Sequence, residues 1–236
     1  MLKEQLIKHS PIRILEETLD GGLRSGQLGV LTARKGVGKT AGLVHIATDK
    51  LLLGQNVLHI SFSDDPKHIL TWYEQVFREV AKAYKLENEL DVHEEIIRHR
   101  LILHFKRPDM PFEQIKANIE QIKAGFPGEP QVIIVDGFSF ANATTEQLSQ
   151  WRNLAQESKS AIWFSATLHR EKLDVDEHGV PAPVNKFYDF LDIIIMLKPQ
   201  KDYIDFCLLK SHDDGMGRKI HIKLDPKTLL ISNHRV

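Results

Sequence analysis

One short segment near the start of the chain restricts the possible folds more than any other feature. The apolar run Leu28–Thr32 leads directly into Ala33–Thr40, which reads Ala-Arg-Lys-Gly-Val-Gly-Lys-Thr, and apolar residues at helical spacing follow. In such a loop the backbone N–H groups and the helix N-terminus point at phosphate oxygens. Gly36 and Gly38 permit positive φ and let the backbone close on a ligand. The order of strand, glycine-rich loop and helix predicts a phosphate-binding loop in an α/β domain.

The side chains of this loop have distinct predicted roles. Lys39 would reach the β- and γ-phosphates of a nucleotide, and the hydroxyl of Thr40 would ligate Mg²⁺. The residues expected to contact the nucleotide are Arg34, Lys35, Gly36, Val37, Gly38, Lys39, Thr40 and Ala41. The alternative is a glycine-rich turn that only caps the following helix.

Hydrophobic periodicity divides the rest of the chain into alternating strands and helices. Strands are predicted at Leu28–Thr32, Val57–Phe62, Leu101–Phe105, Val132–Val135, Ala161–Ser165, Ile193–Leu197, Ile204–Lys210, Ile220–Leu224 and Leu229–Ile231. Helices are predicted at Ile12–Leu19, Thr40–Leu53, Pro66–Leu86, Leu90–Arg100, Phe112–Ala124 and Thr145–Lys159, with one helical turn at Phe187–Leu191. The polar segment Glu171–Pro183 contains glycine and proline and is predicted to be a mobile loop. This pattern predicts a mostly parallel sheet with helices on both faces and an antiparallel edge.

Composition excludes several classes of protein. The net charge of −1 gives no global basic field of the kind that attracts nucleic acid. The single cysteine, Cys207, excludes an internal disulfide, and its apolar surroundings predict a buried small side chain. No apolar run approaches the roughly 18 residues of a membrane span, and Met1–His9 lacks the apolar core of a signal peptide. We therefore expect a cytoplasmic protein with one domain over residues 10–236 and a loose or helical arm at residues 1–9.

Four segments in order resemble the RecA-like P-loop ATPases and, among them, the KaiC and DnaB branch. They are Leu19–Leu28 leading into the phosphate loop, Gly54–Pro66, Gln131–Ser139 and Leu209–Arg218. The phosphate loop is specific by itself, whereas the other segments carry the resemblance through their order and spacing. The resemblance implies a RecA-like ATPase domain that binds ATP and Mg²⁺.

The resemblance also assigns a role to Asp136, which ends the apolar run Val132–Val135. In this family such an aspartate holds Mg²⁺, usually through water, because the metal needs a hard oxygen donor beside the phosphates. The alternative is a simple turn, for which the pair Asp136-Gly137 is well suited.

For the residue that activates the attacking water, the resemblance indicates the end of the second strand. The family places a glutamate at the end of the second strand, and this chain has Ser63 there, followed by Asp64. Serine is a poor general base near neutral pH, so Asp64 is the candidate carboxylate and slow hydrolysis is expected. The alternative is that Asp64-Asp65-Pro66 only caps the next helix.

Two further positions follow from the resemblance. Relatives sense the γ-phosphate with a polar residue after the fifth strand, and Ser165, Thr167 and His169 all remain candidates. Oligomeric relatives supply a basic residue to the neighbouring subunit's γ-phosphate, and Lys210, with Arg218 as second candidate, occupies that place. A homo-oligomer, with a hexamer as the candidate assembly, is therefore expected. The alternative for Lys210 is a solvated hairpin lysine.

Binding of nucleic acid is expected to be weak or absent. The segment Glu171–Pro183, where relatives place a pore loop that contacts DNA, is acidic and would repel a phosphate backbone. From Lys198 to Lys227 there are seven Lys or Arg against five Asp, which is a small excess. The twelve histidines show no metal-binding spacing.

Four functions remain open from the sequence. The first is a slow oligomeric ATPase whose nucleotide state, ATP or ADP, controls its assembly or its protein partners. The second is a DnaB-like DNA-processing motor, and the third is a nucleotide sensor without hydrolysis, which Ser63 favours. The fourth is a partner-switching ATPase, in which Arg34 stands where an extra lysine is expected; Lys35 in place of a glycine argues against it.

Overall fold

A single nine-stranded sheet is the centre of the described part of the molecule. The computed structural model describes residues 1–62, 66–107, 110–123, 125, 127–168, 174–212, 219–228 and 230–233. The strands are β1 (Leu28–Ala33), β2 (Val57–Ser61), β3 (Arg100–His104), β4 (Val132–Asp136), β5 (Ala161–Thr167), β6 (Ile193–Pro199), β7 (Ile204–Ser211), β8 (Lys219–Leu224) and β9 (Ile231–Asn233). The helices are α1 (Lys3–Lys8), α2 (Pro11–Thr18), α3 (Lys39–Leu52), α4 (Pro66–Tyr84), α5 (Glu89–Arg98), α6 (Phe112–Lys123) and α7 (Thr145–Glu157), with a 3₁₀ helix at Val184–Phe190. Within these residues, no helix combines the length and the apolar character needed to cross a bilayer.

The strand order places the phosphate loop in the middle of the sheet. The order is β3-β2-β4-β5-β1-β6-β7-β8-β9. The first six strands are parallel, and β7, β8 and β9 continue the sheet in antiparallel pairing. Every residue of β1 is buried, as expected for a central parallel strand covered on both faces. The predicted α/β class and the antiparallel edge are therefore confirmed.

Helices cover both faces of the sheet and divide the core in two. One cluster packs α1 to α5 against the sheet, and it contains Leu15, Leu43 and Tyr73. The other packs α6, α7 and the 3₁₀ helix against the opposite face, around Trp151 and Phe164. Because α3 lies in the first cluster, the phosphate loop opens from that side of the sheet.

The first nine residues contain the short helix α1 (Lys3–Lys8), which packs on the rest of the fold. Leu6 is buried in the first cluster. The ammonium of Lys3 lies 2.6 Å from a carboxylate oxygen of Glu95, and the N-terminal ammonium lies 3.1 Å from Glu87. Residues 1–9 are therefore held to the domain by apolar burial and by two ion pairs.

Several local features differ from the sequence predictions. The last strand is Ile231–Asn233 and not Leu229–Ile231, because Asp225 accepts the N–H groups of Lys227 and Thr228 in a turn that delays the strand. Helix α5 ends before Arg100, which begins β3. Cys207 is half-buried and not fully buried, and burial raises the pKa of its thiol, which disfavours a thiolate nucleophile.

The acidic segment contains an ordered turn where a mobile loop was predicted. Val175 and Pro181 form a β-bridge, and the carboxylate of Asp176 accepts the N–H groups of His178 at 3.0 Å and Val180 at 2.8 Å. These bonds satisfy the turn's backbone locally, as an Asx-type turn does. Residues 169–173 lie outside the described residues.

Candidate phosphate and metal site

The loop between β1 and α3 has a conformation that requires glycine. Gly36 has φ +82° and Gly38 has φ +105°, which L side chains rarely adopt. A Cβ on Gly38 would also lie 2.8 Å from Cδ2 of Leu224. Arg34, Lys35 and Gly36 are exposed, so the loop faces solvent, whereas Ala41 is buried and can contribute only its backbone N–H.

Lys39 lies beneath this loop. Its side chain is largely buried, and Nζ donates to the carbonyl oxygens of Ala33 at 3.2 Å and Arg34 at 3.1 Å. Burial lowers the pKa of Lys39, and the nearby carboxylate of Asp136 opposes this by raising it. The ammonium therefore stands at the foot of the loop, where it could exchange a carbonyl partner for a phosphate oxygen.

The side chains of Thr40 and Asp136 are in contact at the edge of the sheet where the parallel strands end. The hydroxyl of Thr40 donates to a carboxylate oxygen of Asp136 at 2.8 Å, although 96 residues separate them in the chain. A hydroxyl and a carboxylate are hard oxygen donors of the type that Mg²⁺ prefers. Among the described residues, no group of three or more His, Cys, Asp or Glu could hold a metal by itself. The donor set therefore fits an ion that also takes oxygen ligands from a phosphate and from water.

Backbone pairing fixes Asp136 at this position. Asp136 lies opposite Ser61 in the β2–β4 register, and its carbonyl accepts the N–H of Phe62 at 2.8 Å. The next residue, Gly137, has φ +87°, and a Cβ there would lie 3.0 Å from the carbonyl oxygen of Phe62. The N–H of Gly137 donates to Oγ of Ser165 at 2.8 Å. Ser165 thus supports the turn behind Asp136.

The other candidates from the sequence are placed differently. Thr167 is exposed at the end of β5. His169, Asp64 and Arg218 lie outside the described residues. The only γ-phosphate sensor candidate that the described residues bring beside Asp136 is therefore Ser165.

A buried histidine beside the site had no counterpart in the sequence analysis. His59 is fully buried; its Nδ1 lies 3.0 Å from the hydroxyl of Tyr73, and its Nε2 has no partner among the described residues. Burial lowers the pKa of His59 to about 4, although the charge of Asp136 raises it. The imidazole is therefore neutral at physiological pH. The strand pattern could have placed His59 near the site, because His59 and Ser61 lie on the same face of β2 and Ser61 pairs with Asp136 of β4.

Lys210 lies two strands away from β1 and behind the end of β1 that carries the phosphate loop. It is paired with Ile194 of β6, which is paired with Val30 of β1, three residues before Ala33. It is thus about 10 Å back along the strand direction and about 10 Å across two strands from the end of β1. That separation exceeds the length of a lysine side chain, so Lys210 does not reach the phosphate loop of its own chain.

Comparison with known proteins identifies a family, a partial sequence relative and a similar fold. The family model described as AAA domain matches residues 2–158 of the 236. The "DnaB-like replicative helicase" of Enterobacteria phage T4 is 50% identical over 50 residues, which are 21% of this chain and 10% of that protein. The chain therefore aligns with about a tenth of that relative. A solved structure whose title describes it as an ATPase domain superposes with a TM-score of 0.67 at 16% identity, over 94% of this chain and 89% of the other.

Proposed function

Because the chain belongs to the AAA domain family and has the fold of RecA-like P-loop ATPases, we propose that it binds ATP with Mg²⁺ and hydrolyses it slowly as a cytoplasmic, KaiC-like oligomer. The observation that carries the proposal is the contact of Thr40 with Asp136 at 2.8 Å, beside the buried ammonium of Lys39. These three side chains supply the cation and the oxygen donors that an Mg²⁺·triphosphate needs.

Each group has a separate task in this proposal. The loop N–H groups from Arg34 to Ala41 bind phosphate oxygens, and Lys39 neutralises charge on the β- and γ-phosphates. Thr40 and Asp136 would hold Mg²⁺, which when bound neutralises the charge that develops on the transferred phosphoryl group. Ser165 keeps the turn after Asp136 in place through its bond to Gly137.

Slow turnover follows from the end of β2. The N–H of Phe62 donates to the carbonyl of Asp136, and Ser63 and Asp64 are the next two residues in the sequence. Ser63 stands where relatives have a glutamate, so Asp64, which is one methylene shorter, is the carboxylate left to orient the attacking water.

Restoring the glutamate should accelerate hydrolysis. We expect Ser63→Glu to raise the rate of phosphate release by about tenfold or more, because a positioned general base contributes a large factor. Asp64→Asn should lower the wild-type rate. Ser63→Gln has the length of glutamate without the charge and serves as the control. If Ser63→Glu and Ser63→Gln have the same rate, and Asp64→Asn has the wild-type rate, the assignment of the water-orienting carboxylate to positions 63 and 64 is wrong.

Assembly is part of the proposal because of Lys210. It lies away from the phosphate loop of its own chain, so its cation could serve only a nucleotide held by another subunit. A closed ring, with six subunits as the candidate number, gives each nucleotide one neighbour of this kind. Protein partners that bind the ATP-bound and ADP-bound forms with different affinity are compatible with such a ring.

A DnaB-like DNA motor is the second candidate function. The observation in its favour is the 50-residue similarity to a protein named as a replicative helicase. Against it stand the net charge of −1 and the acidic segment at Glu171–Pro183. A nucleotide sensor without hydrolysis is the third candidate, and phosphate release from the wild-type protein would exclude it.

Binding of single-stranded DNA separates the first two functions. At physiological ionic strength we expect a dissociation constant on the order of 10⁻⁵ M or weaker, without sequence preference, and no stimulation of phosphate release. Fluorescence anisotropy over a salt series, with ATP·Mg²⁺ present, measures this. Tight, salt-sensitive binding that accelerates phosphate release would instead establish the motor.

A further inference from the structure

Tyr188 contacts the ammonium of Lys210, which in the proposed function acts at the nucleotide of a neighbouring subunit. We infer that Tyr188 is a positioning residue, which holds the ammonium of Lys210 in the orientation needed at the neighbour's nucleotide. The inference rests on the proposed role of Lys210 and adds the residue on which that role depends.

The contacts between the two residues are specific. Nζ of Lys210 donates to the carbonyl oxygen of Tyr188 at 2.8 Å and lies 4.2 Å from the centroid of the Tyr188 ring. The first contact is a charge-assisted hydrogen bond, and the second is a cation–π contact within the usual range. The head group of a long, flexible side chain is therefore held at two points by one residue.

Tyr188 is itself held in place from several directions. Its ring stacks on the ring of His178, with centroids 4.3 Å apart and planes 12° from parallel. It belongs to the 3₁₀ helix Val184–Phe190, which is anchored because Arg152 donates to the carbonyl of Phe190 at 2.6 Å. Arg152 in turn pairs with Asp192 at 2.8 Å, just before β6. Because Tyr188 is restrained in this way, its ring and carbonyl restrict the ammonium of Lys210 to one position.

Such fixing matters for a cation that acts across an interface. An unrestrained lysine must lose rotamer freedom when it binds a phosphate, and one held beforehand loses less. The benefit appears only when a neighbour's nucleotide is present, so it affects turnover and not ATP binding at the subunit's own loop. The stack with His178 also connects Lys210 to the turn at residues 174–183.

The test compares two substitutions at Tyr188 in the full chain. Tyr188→Leu keeps apolar volume in the 3₁₀ helix but removes the ring, and we expect kcat for phosphate release to fall roughly three- to thirty-fold with KM for ATP unchanged. Both variants keep the backbone carbonyl that accepts from Lys210, and Tyr188→Phe also keeps the ring, so Tyr188→Phe should retain most of the wild-type turnover. Equal turnover of Tyr188→Leu and wild type, while Lys210→Ala is slow, would overturn the inference.

Two further measurements separate positioning from a general structural role. In a Lys210→Ala background, Tyr188→Leu should have no additional effect, since nothing remains to be positioned. Mixing Tyr188→Leu with Lys39→Ala should raise the turnover per Tyr188→Leu subunit, because a Lys39→Ala neighbour supplies a correctly held Lys210 to the intact phosphate loop of the Tyr188→Leu subunit. An additional loss in the double mutant, or no recovery on mixing, would make Tyr188 a structural residue. If Lys210→Ala alone has wild-type turnover, the proposed function of Lys210 fails first.

Discussion

Replacing Lys39 by alanine should abolish the thermal stabilisation that ATP·Mg²⁺ gives to the wild-type protein. At a ligand concentration a hundred times the dissociation constant, binding should raise the wild-type melting temperature by roughly 5–10 °C. Lys39 supplies the buried cation beneath the loop, so Lys39→Ala leaves the phosphate charges without their main partner. Differential scanning fluorimetry with and without ATP·Mg²⁺ measures both shifts.

The variant itself should remain folded. Burial lowers the pKa of Lys39, which shows that its ammonium is partly desolvated, and its two hydrogen bonds go to carbonyls at the start of its own loop. Lys201→Ala changes an exposed lysine in the turn between β6 and β7 and controls for loss of charge. An ATP-dependent shift in Lys39→Ala equal to that of Lys201→Ala would remove the phosphate-loop assignment.

Replacing Lys210 by alanine should have the second large effect, on turnover and assembly and not on binding. Lys210 lies away from its own phosphate loop, so Lys210→Ala should keep nearly the full thermal shift with ATP·Mg²⁺. Phosphate release should fall by about tenfold or more, because a cation supplied in trans stabilises the charge on the transferred group. ATP-dependent assembly should weaken in the same variant.

Mixing the variants Lys39→Ala and Lys210→Ala tests whether the cation of Lys210 acts between subunits. Each productive interface needs Lys39 on one side and Lys210 on the other, so an equal mixture of Lys39→Ala and Lys210→Ala in a closed ring should recover about a quarter of wild-type turnover. Each variant alone should release phosphate at no more than about a tenth of the wild-type rate. A mixture with no recovery, from rings shown to exchange subunits, would leave Lys210 as a residue of local structure.

The sequence placed Thr40 and Asp136 at the same edge of the sheet because strand direction and the family resemblance both indicate that edge. Thr40 follows β1 and Asp136 ends β4, and the carboxyl ends of parallel strands lie at one edge of a sheet. The resemblance to RecA-like ATPases adds the expectation that the two residues share a metal ion, and the structure brings their side chains to 2.8 Å. The alternation of strands and helices likewise determined the parallel sheet and its covered faces. Both inferences need no knowledge of which side chains touch.

The missed features depend on contacts between distant parts of the chain. Periodicity places His59 on a buried face but does not show that Tyr73 from α4 bonds it. The hydrogen bond between Gly137 and Ser165 depends on which strands are neighbours. The contact between Tyr188 and Lys210 depends on the path of the chain before β6. Composition predicts a mobile loop at Glu171–Pro183, whereas residues 174–183 form a turn held by the bridge between Val175 and Pro181 and by the carboxylate of Asp176.

Sedimentation velocity of the wild-type protein at micromolar concentration, with and without ATP·Mg²⁺ and with phosphate release measured on the same sample, tests the central claim most directly. The proposed function predicts a larger oligomer when ATP·Mg²⁺ is present, together with slow, continuing release of phosphate. Assembly and turnover should both be lost when EDTA removes the metal, because Thr40 and Asp136 would then have no ion to share with the phosphates. A protein that stays monomeric with saturating ATP·Mg²⁺ and releases no phosphate would contradict the claim.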